Sequence, residues 1–415
     1  YIIPENTWRL VHFNVKGMIT SMKIAAVIAE YNPFHNGHRF HIERTKAQNG
    51  GRPVIVAMSG WFVQRGDIAA YDPYIRAKWA LENGADIVLM LPVMFSMAQA
   101  ERFAVGGVSL LSSTGIVDSL SFGAECGDAA VLVRMAESLK AESAEYKAAL
   151  ASVLSSGKSF PAARSAALCA TLGEDNTRIL SCANNILGIE YINAIAKLNA
   201  PIVPMAVMRT GAQHDSADAE NGSMSASAIR TALLGGNAGA IRHAVPQSVY
   251  SAVADLSVMN IESLSQAAIY ALRRLSPSCI AVLPDVAEGL ENVICSACRE
   301  SSGFAELTIN IKSKRYTLSR IRRICINALL GITKSDYARH PLPEYIRVLG
   351  ARREALPLIG EMAEKASLPL VACRADYDKL SESAKAAFDK DIFAAETAQL
   401  NGKAISEFKR KFIIV

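Results

Sequence analysis

The chain has 415 residues, 51% of them hydrophobic and 20% charged, with a formal net charge of +5. That length exceeds one ordinary core and points to two domains, while the composition excludes a disordered or fibrous chain. No apolar run reaches the roughly 18 residues a membrane span needs, and the nearest candidate, 87–98, is interrupted by Pro92.

Residues 1–21 carry no cleavable signal pattern and precede Met22, where a strand-like run begins. They are expected to be an upstream extension outside the fold. The eight cysteines lack the spacing of a disulfide framework. Cys295 and Cys298 form one CxxC, with no second pair to complete a zinc site. Reduced thiols and a cytoplasmic setting are expected, in which the sequon Asn221-Gly222-Ser223 would go unused.

From residue 22 to about 245, short apolar runs alternate with helical stretches. Residues 23–29 (KIAAVIA), 53–58 (PVIVAM), 86–91 (DIVLML), 117–122 (VDSLSF) and 201–207 (PIVPMAV) read as strands. Most are apolar on consecutive positions, the pattern of strands buried on both faces. Helices are expected at 38–49, 72–83, 99–114, 129–155 and 183–198. This alternation predicts an α/β fold, a Rossmann-like parallel sheet whose ligands sit beyond the carboxyl ends of the strands. After 245 the strand signals fade. Helices are expected at 248–274, 285–301, 319–330 and 381–399, with short strands at 307–311 and 368–371. The expected organisation is a nucleotide-binding domain at 22–245 and a mainly helical, basic domain at 246–415.

The first strand runs into Glu30-Tyr31-Asn32-Pro33-Phe34-His35-Asn36-Gly37-His38, and a helical pattern follows at once. A helix start just past a strand end binds anions, because its free N–H groups and dipole favour phosphate. Two imidazoles at that point can hydrogen-bond phosphate oxygens and stabilise charge developing during transfer. Gly37 allows close backbone approach. A second helix start lies at Ser225-Ala226-Ser227-Ala228-Ile229-Arg230. There Ser225 and Ser227 offer hydroxyls and Arg230 can reach the same phosphates, although a plain serine cap with a surface arginine fits the same letters.

Together these two elements resemble the HIGH superfamily of nucleotidyltransferases. More narrowly, VIAEYNPFHNGH (27–38), MSGWFVQRG (58–66), RAKWALENGAD (76–86), FGAECG (122–127), NNILGIEY (184–191), Arg209-Thr210-Gly211-Ala212, the Ser225 loop, Arg320–Arg323 and YIRVLG (345–350) are similar to the tRNA(Met) cytidine acetate ligase family. The resemblance implies activation of acetate by ATP as acetyl-adenylate, with release of pyrophosphate. The acetyl group would then pass to N4 of the wobble cytidine (position 34) of elongator tRNA(Met), giving N4-acetylcytidine. No protein partner is implied.

It further implies that His35 and His38 act in catalysis. ATP would meet Ile28, Ala29, Glu30, Tyr31, Asn32, Pro33, Phe34, Asn36, Gly37, His41, Gly123, Asn184 or Asn185, and Arg209. Mg2+ would accompany ATP, held partly by its phosphates rather than by a dedicated protein site. Two positions depart from the family pattern. Trp61 stands where asparagine is usual, and Met90 where an acidic residue usually precedes Leu-Pro. Trp61 is expected near the site, either reshaping a substrate pocket or packing on the loop surface.

Gln64 and Arg65, with Arg76 and Lys78 beyond them, form a charged set that is either solvated or in contact with substrate or tRNA. In the second half, Lys312, Lys314, Arg315, Arg320, Arg322 and Arg323 fall within a dozen residues. Given a large anionic substrate, they are expected to meet the RNA backbone. The residues leave two alternatives open: a small-molecule adenylyltransferase of the pantetheine-phosphate or nicotinamide-mononucleotide kind, and a non-catalytic RNA-binding relative.

Overall fold

The five apolar runs all become strands. In the structure, a computed structural model that describes residues 24–141, 144–157, 160–209, 224–287, 289–400, 402 and 405–415, they are β1 (Ala25–Ala29), β2 (Val54–Ser59), β5 (Ile87–Leu91), β6 (Ser119–Ala124) and β7 (Val203–Met208). A two-stranded hairpin of β3 (Phe62–Val63) and β4 (Asp67–Ile68) follows β2. The expected extension 1–21, the sequon and Thr210-Gly211-Ala212 lie outside the described residues.

Three further strands come from the half expected to be mainly helical: β8 (Ile346–Ala351), β9 (Leu370–Val371) and β10 (Ile413–Ile414). The sheet runs β10-β8-β5-β2-β1-β6-β7, with β9 on β8. β1, β2, β5, β6 and β7 are mutually parallel, whereas β8 is antiparallel to β5. Every β8 residue is buried. Its sequence IRVLGA carries an arginine and a glycine, which mask the strand pattern.

The expectation of a strand at 307–311 is overturned: Phe304–Ile311 is a helix. Phe304, Leu307, Thr308 and Ile311 are its buried positions, a helical i, i+3, i+4, i+7 stripe that a five-residue window cannot tell from a strand. The expected helix at 129–155 is two, Ala129–Ala141 and Ala144–Ser155. That at 248–274 breaks into Gln247–Val253, a 3-10 turn Ile261–Leu264 and Ser265–Arg273. The helices Phe160–Leu172 and Glu174–Ser181 carry no clear sequence signal.

Side chains of β1 alternate between two cores, Ala26 and Ile28 in one, Ala25 and Val27 in the other, as the two-residue period of a strand requires. β1 thus lies in the middle of a sheet covered on both faces. Its carboxyl end opens where the chain turns to either side, β2 on one flank and β6 on the other, the switch point at which such sheets hold ligands. No helix among the described residues is long and apolar enough to cross a membrane.

Candidate active site

The helix Asn36–Gln48 starts directly beyond β1, and the two histidines build its cap. His35 is the N-cap residue: its Nδ1 accepts the Gly37 N–H at 3.0 Å, while His38 Nδ1 accepts the His35 N–H at 3.2 Å. This is a capping box in which imidazoles replace the usual hydroxyl and carboxyl groups. The rings stack with centroids 3.7 Å apart. A Cβ on Gly37 would lie 2.9 Å from His35 Cε1, so glycine is required for the ring to fold back over the helix start. With Nδ1 accepting in both neutral rings, Nε2 carries the proton, and each imidazole is a donor at that atom.

His38 is held well below the usual histidine range, first by removal from water, then by repulsion from His35, Arg209 and His41. His41 is pushed down to about 4, by removal from water and then by Arg209. Its tautomer follows from a chain of hydroxyls. Thr45 donates to the His41 carbonyl at 2.8 Å, so it accepts from Ser121 at 2.7 Å, and Ser121 Oγ in turn accepts the His41 Nε2 proton at 3.0 Å.

The loop is fixed from several sides. Tyr31 has left-handed backbone (φ 47°), uncommon for a bulky residue, and its ring meets Phe34 and His38 edge-on at 4.9 and 4.8 Å. Asn32 Oδ1 accepts the Ala70 N–H at 2.7 Å. Asn36 donates its N–H to the Ala244 carbonyl and its amide to the His243 carbonyl.

Around this loop lies a cleft of about 550 Å³. Ile28, Ala29, Glu30, Tyr31, Asn32, His35, Asn36, Gly37, His38 and His41 line one side. Gly123, Asn184 and Arg209 form the opposite rim, held by Arg209 Nη1 donating to Asn184 Oδ1 at 3.1 Å and Asn184 Nδ2 donating to Glu125 at 2.6 Å. A Cβ on Gly123 would come within 3.2 Å of Arg209, so its absence leaves room beside the rim. From the helix Ala226–Leu234, Ser225 caps through the Ala228 N–H, and Arg230 reaches across to the Asn32 carbonyl at 2.7 Å. Gln64 and Arg65 close the mouth.

Several expected residues stand elsewhere. Asn185 is buried and holds the Glu125 and Cys126 amides, so of the asparagine pair it is Asn184 that faces the cleft. Pro33 and Phe34 are buried behind the loop, and exposed Ser227 accepts from Arg230 outside the lining. Arg76, read as a loop or surface charge, is fully buried. Its guanidinium donates to the carbonyls of Glu30 (2.6 Å), Ser59 (3.1 Å), Tyr71 (2.9 Å) and Gly60. It thereby ties off the ends of β1 and β2 beneath the site, a role its letter in the sequence does not signal.

Neither departure from the family pattern reaches the cleft. Trp61 is 3% exposed, packed in the core and donating Nε1–H to Glu407 at 3.3 Å; it neither fills the pocket nor lies on the loop surface. Met90 is buried in β5 opposite Arg347 of β8, whose charge is balanced by Glu407.

The basic cluster divides in two. Lys312, Lys314 and Arg315 are exposed. Arg323 is buried in an ion pair with Asp285 at 2.8 Å and donates to the Gln64 carbonyl at 3.2 Å, which removes it from the expected RNA-facing set. Arg320 bonds the Asp285 carbonyl and lies over the Tyr316 ring. A Cβ on Gly66 would meet Arg322 and Arg323 within 2.7 Å, so the helix Leu318–Leu330 packs directly on the loop at the cleft mouth.

The profile of the HIGH Nucleotidyl Transferase family matches residues 22–411. The chain is 36% identical over 397 residues to the tRNA(Met) cytidine acetate ligase of Caldanaerobacter subterraneus subsp. tengcongensis, spanning 94% of this chain and 98% of that protein. With the protein of the same description from a Thermoanaerobacter species it shares 37% over 382 residues, 90% and 94% of the two chains. Among solved structures, Thermotoga maritima TmcAL bound with alpha-thio ATP matches with a TM-score of 0.84 at 28% identity, covering 95% of this chain and 100% of that one. Its apo form matches at 0.88 and 29% over the same coverage. Matched over 22–411 and over nine tenths of its length, this chain belongs to the HIGH nucleotidyl transferases and, among them, to the tRNA(Met) cytidine acetate ligase family.

Proposed function

We propose that this chain is an ATP-dependent ligase that joins acetate to N4 of the wobble cytidine of elongator tRNA(Met). The observation that carries the reading is one cleft at the switch point of the sheet that gathers His35, His38, Gly123, Asn184, Arg209 and Arg230, in a chain that matches, over nine tenths of its length, relatives named tRNA(Met) cytidine acetate ligase.

In this reading acetate attacks the α-phosphorus of ATP, and acetyl-adenylate and pyrophosphate form. No covalent bond to the protein is needed, so the chain positions the reactants and stabilises charge. The Nε2–H groups of His35 and His38 donate to phosphate oxygens at a helix start whose dipole has the same sign. For His38, removal from water and the neighbouring His35 and Arg209 keep the ring neutral, with Nε2–H as its donor. Arg209 and Arg230 close on the nucleotide from opposite rims. The described residues contain no group of three side chains suited to hold a metal ion, and Mg2+ enters with ATP through its phosphates. Residues 246–415 act as the tRNA-binding portion, with Lys312, Lys314 and Arg315 toward the RNA backbone and Arg322 at the cleft mouth.

Because Trp61 and Met90 lie in the core, the non-catalytic alternative loses the two residues that motivated it. The test is incubation of the chain with ATP, Mg2+, radiolabelled acetate and elongator tRNA(Met). Label should enter the tRNA only when ATP and acetate are both present. Pyrophosphate release that needs a phosphorylated small molecule and no tRNA would instead establish an adenylyltransferase of small molecules.

A further inference from the structure

Among the described residues that line the cleft, Glu30 is the only carboxylate. An ionised carboxylate accepts hydrogen bonds and cannot donate to phosphate, so in a pocket of donors it is misplaced for holding ATP. The other candidate acceptors are already engaged. The Nδ1 lone pairs of His35 and His38 are taken by backbone amides, and His41, whose Nε2–H is committed to Ser121, has a basicity pushed down to about 4. Glu30 is also tied to the loop that carries Gln64 and Arg65 of the cleft lining. Its Oε1 accepts the Gln64 N–H at 2.9 Å, and the Gln64 carbonyl accepts from Arg323 of the helix that follows the basic turn.

Resting on the acetate ligase reading, we infer that Glu30 is the general base of the second step, taking the proton from the acceptor amine. The amine nitrogen attacks the acetyl carbonyl carbon of the adenylate and a C–N bond forms. The bond from that carbon to the phosphate oxygen breaks, and AMP leaves with the electron pair. The N–H proton passes to the Glu30 carboxylate, which returns it to water after product release. The groups facing Glu30 are Arg230 from the helix Ala226–Leu234, Arg65 from the mouth loop, Arg76 beneath it and Tyr191 from the helix Ala183–Leu198. Removal from water raises its pKa despite the Gln64 amide and the three arginines, the direction that makes a carboxylate a better base.

Glu30→Gln keeps an oxygen for the Gln64 amide and removes the base. Single-turnover transfer of labelled acetyl to tRNA(Met) should fall by roughly 10²–10⁴, the usual worth of a general base, and by far more than acetate-dependent ATP–pyrophosphate exchange. Glu30→Asp should recover part of the transfer. The wild-type transfer rate should decline as pH falls through the raised pKa, and the glutamine variant should lack that limb. Equal losses in both steps, unchanged transfer, or an exchange defect cured by raising Mg2+ overturns the assignment, the last by making Glu30 a metal ligand. A wild-type chain that shows no acetate-dependent exchange overturns the ligase reading itself, and the base with it.

Discussion

At the head of the cleft the polar groups are few, partly buried and individually pinned. His35 and His38 are held by backbone amides, Arg230 by the Asn32 carbonyl and Arg209 by Asn184. The turn at 312–315 carries three cations that are exposed. Both regions are read as meeting phosphate, yet they are suited to different tasks. A pinned donor in a shielded cleft is worth most where charge develops in a transition state, because it needs no rearrangement. An exposed cation adds affinity through counterion release and tolerates imprecise placement. Position decides the first region, and number decides the second.

The contrast breaks most sharply at His38. His38→Ala should slow acetate-dependent ATP–pyrophosphate exchange by roughly 10²–10³, the cost of removing one preorganised donor, while leaving the Kd for tRNA(Met) unchanged. An equal loss in both would mean that the cleft and the basic turn are not separate. Arg76→Met tests whether the cleft depends on its buried support. With four carbonyls left unpaired, stability should fall by about 3 kcal/mol, read from urea unfolding. The exposed Lys78→Met should move it by less than about 0.5 kcal/mol.

Charge reversal of Lys312, Lys314 and Arg315 together should weaken tRNA binding about tenfold and flatten its salt dependence by roughly two units of slope, with exchange unaffected. The same experiment on Arg323 should lower stability instead, since its charge is spent on Asp285. The last prediction concerns pH. His41 titrates at about 4 in the folded chain, against roughly 6.5 when unfolded, so the unfolded chain takes up the proton first. The stability this contributes is present above about 6.5 and is lost as pH falls toward 4. Unfolding free energies measured at intervals across that window should fall more steeply for wild type than for His41→Gln.

How much of this was legible beforehand depended on the range of the interactions involved. The histidine loop was readable because its geometry is local: a buried strand, a glycine and two rings three residues apart dictate a helix start with two donors. Ser225 capping the next helix is local in the same sense. The buried arginines were not readable. Arg76 and Arg323 have the letters of surface charges, and only the carbonyls of β1 and β2 in one case and Asp285 in the other make burial tolerable.

Sequence by itself determined the parallel α/β core, since runs apolar on both faces can only be buried between helices, and it determined that the loop after β1 opens a helix capped by two histidines. Tertiary structure decided what joins them. It brought Asn184, Arg209 and Arg230 to a loop at 30–41, chose Asn184 over Asn185 by aiming one of two adjacent side chains into the cleft, and inserted β8 antiparallel to β5. It also carried Trp61 into the core beside Glu407. Each of these is set by a partner far away along the chain, and neither periodicity nor spacing encodes which distant partner a side chain will meet.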